Sequence, residues 1–290
     1  MKIGITADCS SGLEYFPHKH NVQITRTTIN FEDEVLVDGI DITADEFYEK
    51  LSKSNIVPTT AAPTTGEILN SIEYYKRLGF TDVIHFPISF NLSAYGENLQ
   101  STVTELVDGI NYHVFNTRAA TMLQGYIAYY AEILAKRGYD LDTILKECEK
   151  IRNNSKAFFV VDDLKYLVKN GRLSAAKGFI GSLARIKPIL ELDDEGKISP
   201  YEKVRTYNRA VNRIIELIGD ASINAKKVIY VVLHTKQKDE AMEVAKRIQE
   251  MQANALRVEV ETITPTVGAH IGCGVIGVGR IILDDLIEEI

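Results

Sequence analysis

Cysteine is scarce and unclustered: Cys9, Cys148 and Cys273 stand far apart, odd in number and without C-x-x-C spacing. That pattern excludes a disulfide framework and a zinc knuckle, and it fits a reducing cytoplasm. Positive charge is also in deficit, 33 basic against 40 acidic side chains for a net charge of −7. Nonspecific nucleic-acid binding is thereby disfavoured, and there is no basic tail to hold a membrane. No apolar run is long enough for stable membrane insertion. The longest, "AATMLQGYIAYYAEILA", carries Gln124 and Glu132 and falls short of an uninterrupted span of about 20 residues, so it reads as a buried or half-buried helix. The opening "MKIGITADCSS" reaches charge and turn residues before a signal-peptide core accumulates, and it reads as a mature strand. No repeat and no low-complexity linker punctuates the chain.

The common catalytic signatures are missing too. No G-x-S-x-G elbow surrounds Ser89 or Ser93, no P-loop exists, and the six histidines include no H-E-x-x-H or other paired spacing, so neither a metal nor a cofactor is indicated. A literal G-x-G-x-x-G does occur at Gly272, Gly274 and Gly277. Dinucleotide binding needs a helix after those glycines and an acidic residue some twenty positions on. Instead the motif runs into "VIGVGRIIL", β-branched and apolar, which reads as a strand.

What is present is alternation. "KIGITAD", "DVIHFPIS" and "YHVFN" read as strands. "TADEFYEKLSKS" and "TTGEILNSIEYYKRLG" read as helices opened by capping boxes, Thr43 with Glu46 and Thr64 with Glu67. Further helices are expected over "SAYGENLQSTVTELVDG", the Gln124 tract and "LDTILKECEKIRNN". Strands alternating with helices imply a parallel sheet. After "AFFVV" comes a hairpin-like "IKPILELDDEGKISPYEKVR", a helix from about Tyr207, then strand, helix and strand. With 290 residues and 45% hydrophobic content, the expected fold is α/β in two domains. Residues 1–155 form an N-terminal parallel-sheet domain with flanking helices, and residues 156–290 a C-terminal mixed-sheet α/β domain.

Small hydroxyls gather where parallel strands should end: Asp8 to Ser11, Ser89 to Ser93, and Asn116 with Thr117. Ligands of open α/β sheets bind outside the carboxyl ends of strands, so these loops can converge on one site. The loop "PTTAAPTT" adds Thr59 and Thr60 ahead of a capped helix, a setting that suits an anion. Each residue taken singly reads first as a cap or turn former, and only their joint placement argues for a site. A second signal is charge: from Leu164 to Leu190 the chain holds Lys165, Lys169, Arg172, Lys177, Arg185 and Lys187 and no acid. This is a solvated face or a docking patch, and within it "NGRLS" sets Arg172 behind a glycine turn, where its fork can meet a phosphate or carboxylate.

The stretch "VDDLKYLVKNGRLSAAKGFIGSLARIKPIL" resembles the most recognisable segment of the DegV family, the bacterial fatty-acid-binding proteins. "GAHIGCGVIGVG" resembles that family's G-x-H-x-G-x-G segment, "ITADCSSGL" its D-S loop and "VRTYNRAVNRI" its basic helix start. The resemblance implies a non-enzymatic carrier that holds one long-chain fatty acid between two domains and presents the carboxylate to a separate ATP-dependent fatty acid kinase subunit. It implies that Thr60, Ser93 and His270 surround the carboxylate, with Ala61, Ala94 and Gly268 beside them, and that Arg172 and Arg205 serve the kinase encounter. Arg172 is expected to point outward. The chain departs from the family where T-S-Q-P becomes Thr60-Ala61-Ala62-Pro63 and where L-S-G-T-Y becomes Leu92-Ser93-Ala94-Tyr95-Gly96. Those changes remove a hydroxyl and an amide and bring in a phenol, a possible replacement donor. Two other readings remain open on the residues alone: a small-molecule phosphotransferase or hydrolase, and a lipid-free regulatory interaction module.

Overall fold

A computed structural model of the protein describes residues 2–173 and 186–283. The chain runs through β1 (Ile3–Asp8), β2 (Gln23–Thr25), β3 (Thr28–Phe31), β4 (Glu34–Val37), α1 (Ala44–Ser52), β5 (Thr59–Ala61), α2 (Thr65–Arg77) and β6 (Asp82–Phe86). It continues through α3 (Tyr95–Asn98), α4 (Thr104–Leu106), β7 (Asn111–Val114), α5 (Thr121–Lys136) and α6 (Leu141–Asn154). Every residue of β1 and β6 is buried, as expected of strands covered on both faces. The helix starts follow from the capping boxes. Glu46 accepts from the Thr43 N–H at 2.9 Å and Glu67 from the Thr64 N–H at 2.7 Å, each threonine hydroxyl in return accepting from the glutamate N–H.

The remaining described elements are β8 (Lys156–Val160), α7 (Lys165–Lys169), β9 (Lys187–Leu192), β10 (Ile198–Val204), α8 (Tyr207–Ser222), β11 (Val228–His234), α9 (Lys238–Met251), β12 (Ala255–Thr262), α10 (Pro265–Ile271) and β13 (Ile276–Ile282). Three sheets result. One is parallel, in the order β2-β1-β6-β7; one is a small antiparallel sheet, β4-β3-β5; the third is mixed, β10-β9-β8-β13-β11-β12. In the third, β11 and β12 run parallel while the other pairings are antiparallel. All strands of the first two sheets precede residue 155 and all strands of the third follow it.

The core does not respect that division. Ile5 and Ala7 of β1, Tyr126, Ile127 and Leu134 of α5, and Val231 and Ile281 of the mixed sheet belong to one continuous apolar cluster. Helix α5 lies against both β1 and β13, which explains why it is apolar almost all round. Gly125 admits the loop after β1 to this helix, since a Cβ there would stand 2.5 Å from the Ser11 carbonyl oxygen. Helices α8 and α9 cover the other face of the mixed sheet with a second cluster. Among the described residues no helix is long and apolar enough to cross a membrane.

Two elements differ from the sequence expectation, and a third, α10, carried none. The helix over "SAYGENLQSTVTELVDG" is interrupted: α3 and α4 are joined by a π-helical turn, Leu99–Val103. Here the Ser101 and Thr104 hydroxyls donate to the Asn98 and Gln100 carbonyls and compete with the backbone ladder. "PTTAAPTT" is not loop throughout, because Thr59–Ala61 pairs with β3 as β5. "PTVGAHI" forms α10, opened by Pro265 at its first turn, a position where the missing N–H costs nothing.

Candidate functional site

The loops that leave β1, β6 and β7 do converge. Ser10 follows β1, Ile88, Leu92 and Ser93 follow β6, and Thr121 follows β7; all line one cavity between these strand ends and the mixed sheet. Its empty space is about 1210 Å³, solvent at its opening included. Asp8, fully enclosed, ties the loops together. It accepts from the Ser10 N–H at 2.9 Å and the Ser10 hydroxyl, from the Ile88 N–H at 2.8 Å, and from the Gln124 amide of α5 at 3.3 Å. Burial raises its pKa against the pull of those donors.

The polar cluster of the cavity joins both ends of the chain. His270, near the end of α10, lies with Nε2 at 2.8 Å from the Thr60 hydroxyl of β5, while its Nδ1 is buried with no hydrogen-bond partner among the described residues. Burial, reinforced by Arg172, lowers the His270 pKa to about 4, so the ring is neutral at neutral pH. A neutral imidazole carries one N–H, and either tautomer is useful. If Thr60 donates to Nε2, the Nδ1–H is left over; if Nε2–H donates to Thr60, the threonine O–H is left over. One donor for an anion remains in both cases. The Ser93 hydroxyl accepts from the Tyr95 N–H at 3.2 Å, and among the described residues none takes its proton.

Arg172 does not face outward. Its guanidinium lines the cavity, donating from Nε to the Leu92 carbonyl at 3.2 Å and from Nη1 to the Asn170 carbonyl at 2.5 Å. Gly171, with φ of +69°, turns the chain so that the arginine points back. Asn170 in turn donates to the Ala269 carbonyl of α10 at 3.1 Å, linking α7 to the histidine helix. That helix is anchored at its start by Asp38, which accepts from the Thr266 N–H at 2.8 Å and hydroxyl at 2.5 Å.

Of the residues expected at a ligand, Thr60, Ser93 and His270 line the cavity together with Arg172. Ala61 and Ala94 are exposed and do not line it. Gly268 faces away from it: a Cβ there would strike the Tyr48 ring, so this glycine serves the packing of α10 on α1. Arg205 is exposed between β10 and α8, away from the cavity lining. Tyr95 lines the cavity, but its phenol is shared with the Thr25 hydroxyl at 3.2 Å rather than standing free. The basic segment is less one-sided than it reads. Lys165 pairs with Asp163 at 3.2 Å and Lys187 with Asp162 at 2.7 Å, while Lys177 and Arg185 lie outside the described residues. Gly272 and Gly274 take positive φ in the turn after α10 and Gly277 lies in β13, so the G-x-G-x-x-G opens a strand, not a phosphate-binding helix.

The structure adds residues that the sequence reading did not single out for the site. Gln124 holds Asp8, and its signal was a lone amide within an apolar helix. Asp38 holds α10 across 228 positions and had no local signal. Most of the rest of the wall is apolar, with Leu123, Phe159, Leu192, Leu233 and Val267 among it. The arrangement can hold a long apolar ligand with one anionic end. It is poorly suited to hydrolysis, because His270 is a weak base whose Nδ1 no described residue orients.

Comparison with known proteins gives a consistent picture. The family model described as "Uncharacterised protein, DegV family" matches residues 2–282. Protein DegV of Bacillus subtilis is 32% identical over 287 residues, covering 96% of this chain and 98% of its own. A crystal structure of B. subtilis DegV, described as a fatty acid binding protein, aligns with a TM-score of 0.87 and 28% identity over 97% of this chain and 99% of that one. A fatty acid binding DegV family protein from Streptococcus agalactiae aligns with a TM-score of 0.88 and 26% identity over 98% and 100%. The Streptococcus pneumoniae Fatty Acid Kinase (Fak) B3 protein loaded with linoleic acid shares the fold, with a TM-score of 0.79 and 18% identity over 97% and 100%.

Proposed function

Because the chain belongs to the DegV family, we propose that it holds one long-chain fatty acid in this cavity and presents the carboxylate to a separate ATP-dependent kinase subunit. The observation that carries the reading is the meeting of Thr60, Ser93, His270 and Arg172 in a cavity whose remaining wall is mostly apolar. Burial of about 16 methylenes at about 0.8 kcal/mol each supplies roughly 13 kcal/mol of gross driving force. Association and ordering costs take back a large part of it. Specificity then rests on the head group, since a buried carboxylate must be hydrogen-bonded or paired.

The chemistry asks for no catalytic base from this chain. In acyl phosphate formation a carboxylate oxygen attacks the γ-phosphorus of ATP, the bond to the β–γ bridging oxygen breaks, and ADP leaves. The nucleophile is already deprotonated, so no residue of this chain needs to take a proton. Neutral donors from Thr60, Ser93 and His270 orient the carboxylate without neutralising it. The Arg172 cation lies beside His270, where it can also meet phosphoryl oxygens. Arg205, exposed and not among the residues that line the cavity, suits the partner surface. The bacterial cytoplasm is the compartment that fits this role.

Organic extraction of freshly purified protein followed by mass spectrometry tests the carrier reading, with one fatty acid per chain as the expected result. Recovery of no lipid, together with no uptake of added fatty acid, overturns it. Acyl phosphate production by the carrier and a fatty acid kinase, absent when either is omitted, tests the presentation step.

A further inference from the structure

Glycine in the middle of a central strand weakens it, so such a residue calls for a reason. Strand β13 has two on the face turned toward α5, Gly277 and Gly279. The reason for Gly279 is packing: a Cβ there would stand 2.5 Å from Leu123 Cδ1 of α5. Gly277 is different. The three atoms nearest to an added Cβ are Phe159 Cβ at 3.2 Å, the Phe158 carbonyl oxygen at 3.7 Å and Leu233 Cβ at 3.8 Å, all in its own sheet. Gly277 itself lines the cavity, so the space a side chain would enter belongs to the ligand.

The sheet order gives this position its meaning. Leu233 on β11, Gly277 on β13, Phe159 on β8, Leu192 on β9 and Ile198 on β10 all line the cavity on strands that follow in that order; the first three lie directly opposite one another, and Leu192 and Ile198 pair one step along, opposite Ala157, so the row crosses the sheet on a slant. Four inter-strand spacings of about 4.8 Å span about 19 Å, the reach of an extended long-chain acyl group. A chain laid across these strands passes over Gly277. We propose that Gly277 gauges acyl-chain length: its missing side chain keeps the trough continuous, and any side chain there would divide it and restrict the protein to shorter fatty acids. The inference rests on the carrier reading above and adds which residue sets the length of the ligand.

The test is competitive loading of delipidated protein with an equimolar series of saturated fatty acids from eight to twenty carbons, reading the bound pool by mass spectrometry. Wild-type protein is expected to retain the long members. Gly277→Val should shift the pool toward shorter chains. Each lost methylene contact is worth about fourfold in affinity, so exclusion of two gives roughly fifteenfold discrimination against the longest members. Gly277→Ala, whose added methyl meets only Phe159 Cβ closely, should shift the pool in the same direction by less, and it decides the matter if the valine variant does not fold. An unchanged length profile in a loaded variant overturns the gauge and leaves the carrier reading standing. Wild-type protein that takes up no member of the series overturns the carrier reading itself.

Discussion

His270 is the residue whose protonation state the site depends on. Its folded pKa, about 4, lies below the ordinary histidine value, so between these limits the unfolded chain binds the extra proton. The stability associated with a neutral, buried ring is therefore complete above about pH 6.5 and lost as pH falls toward 4. His270→Gln, which keeps a polar partner for Thr60, should flatten the pH dependence of unfolding in that window by on the order of 3 kcal/mol, measured by denaturant titration. Ser93 is a simpler case. Ser93→Ala removes a donor to a charged group, worth about 1.5–3 kcal/mol, so fatty acid retention should weaken roughly ten- to hundredfold while the melting temperature of the lipid-free protein barely moves. A displacement titration and a thermal scan on the same sample check both. Thr60, Ser93 and His270 were legible from motif resemblance because each sits inside a short contiguous stretch, although only Ser93 stands in a loop while Thr60 lies on β5 and His270 on α10. The direction of Arg172 was not, because a single left-handed glycine decides which way the next side chain points.

Among the elements, α1 and α2 were readable from capping boxes alone, because the bonds that start them join residues three apart. Strand β5 was not, since three residues hold no period and only pairing with β3 extends them. Helix α10 escaped for a related reason: at seven residues it owes its form to distant partners, above all Asp38. That anchor has a cost. Burial raises the Asp38 pKa to about 6, above the unfolded value, so its contribution to stability is full in acid and lost as pH rises through 6. Asp38→Asn should remove this loss. Whatever its constant offset, the variant should gain on wild type by on the order of 2 kcal/mol between pH 4 and pH 7, read from unfolding curves at each pH. If the two proteins follow parallel pH profiles, the carboxylate is not the group that titrates there.

At the scale of the whole molecule, the mixed and parallel sheets were legible as separate runs of strands, while their common core was not. Nothing local in α5 tells that one side meets β1 and another β13. A ligand held between these sheets contacts both, so removing it should lower the melting temperature. At a free concentration a thousand times its dissociation constant, a ligand contributes about 4 kcal/mol, and calorimetry of delipidated against reloaded protein reads the difference. Arg205→Ala should leave lipid occupancy unchanged and slow acyl phosphate formation at limiting kinase, recovering as kinase is raised. Equal turnover at every kinase concentration removes Arg205 from the encounter. The reach of α10 carries one more consequence, for synthesis. Thr60 meets His270 across 210 positions, Tyr48 meets Ile263 across 215, and Cys9 meets Thr266 across 257. While the ribosome is still making the middle of the chain, the small sheet β4-β3-β5 can form but the histidine partner of its Thr60 does not yet exist. The cavity is thus completed only when residues 265–282 have emerged, and on the carrier reading a nascent chain is expected to capture no lipid at a half-built pocket.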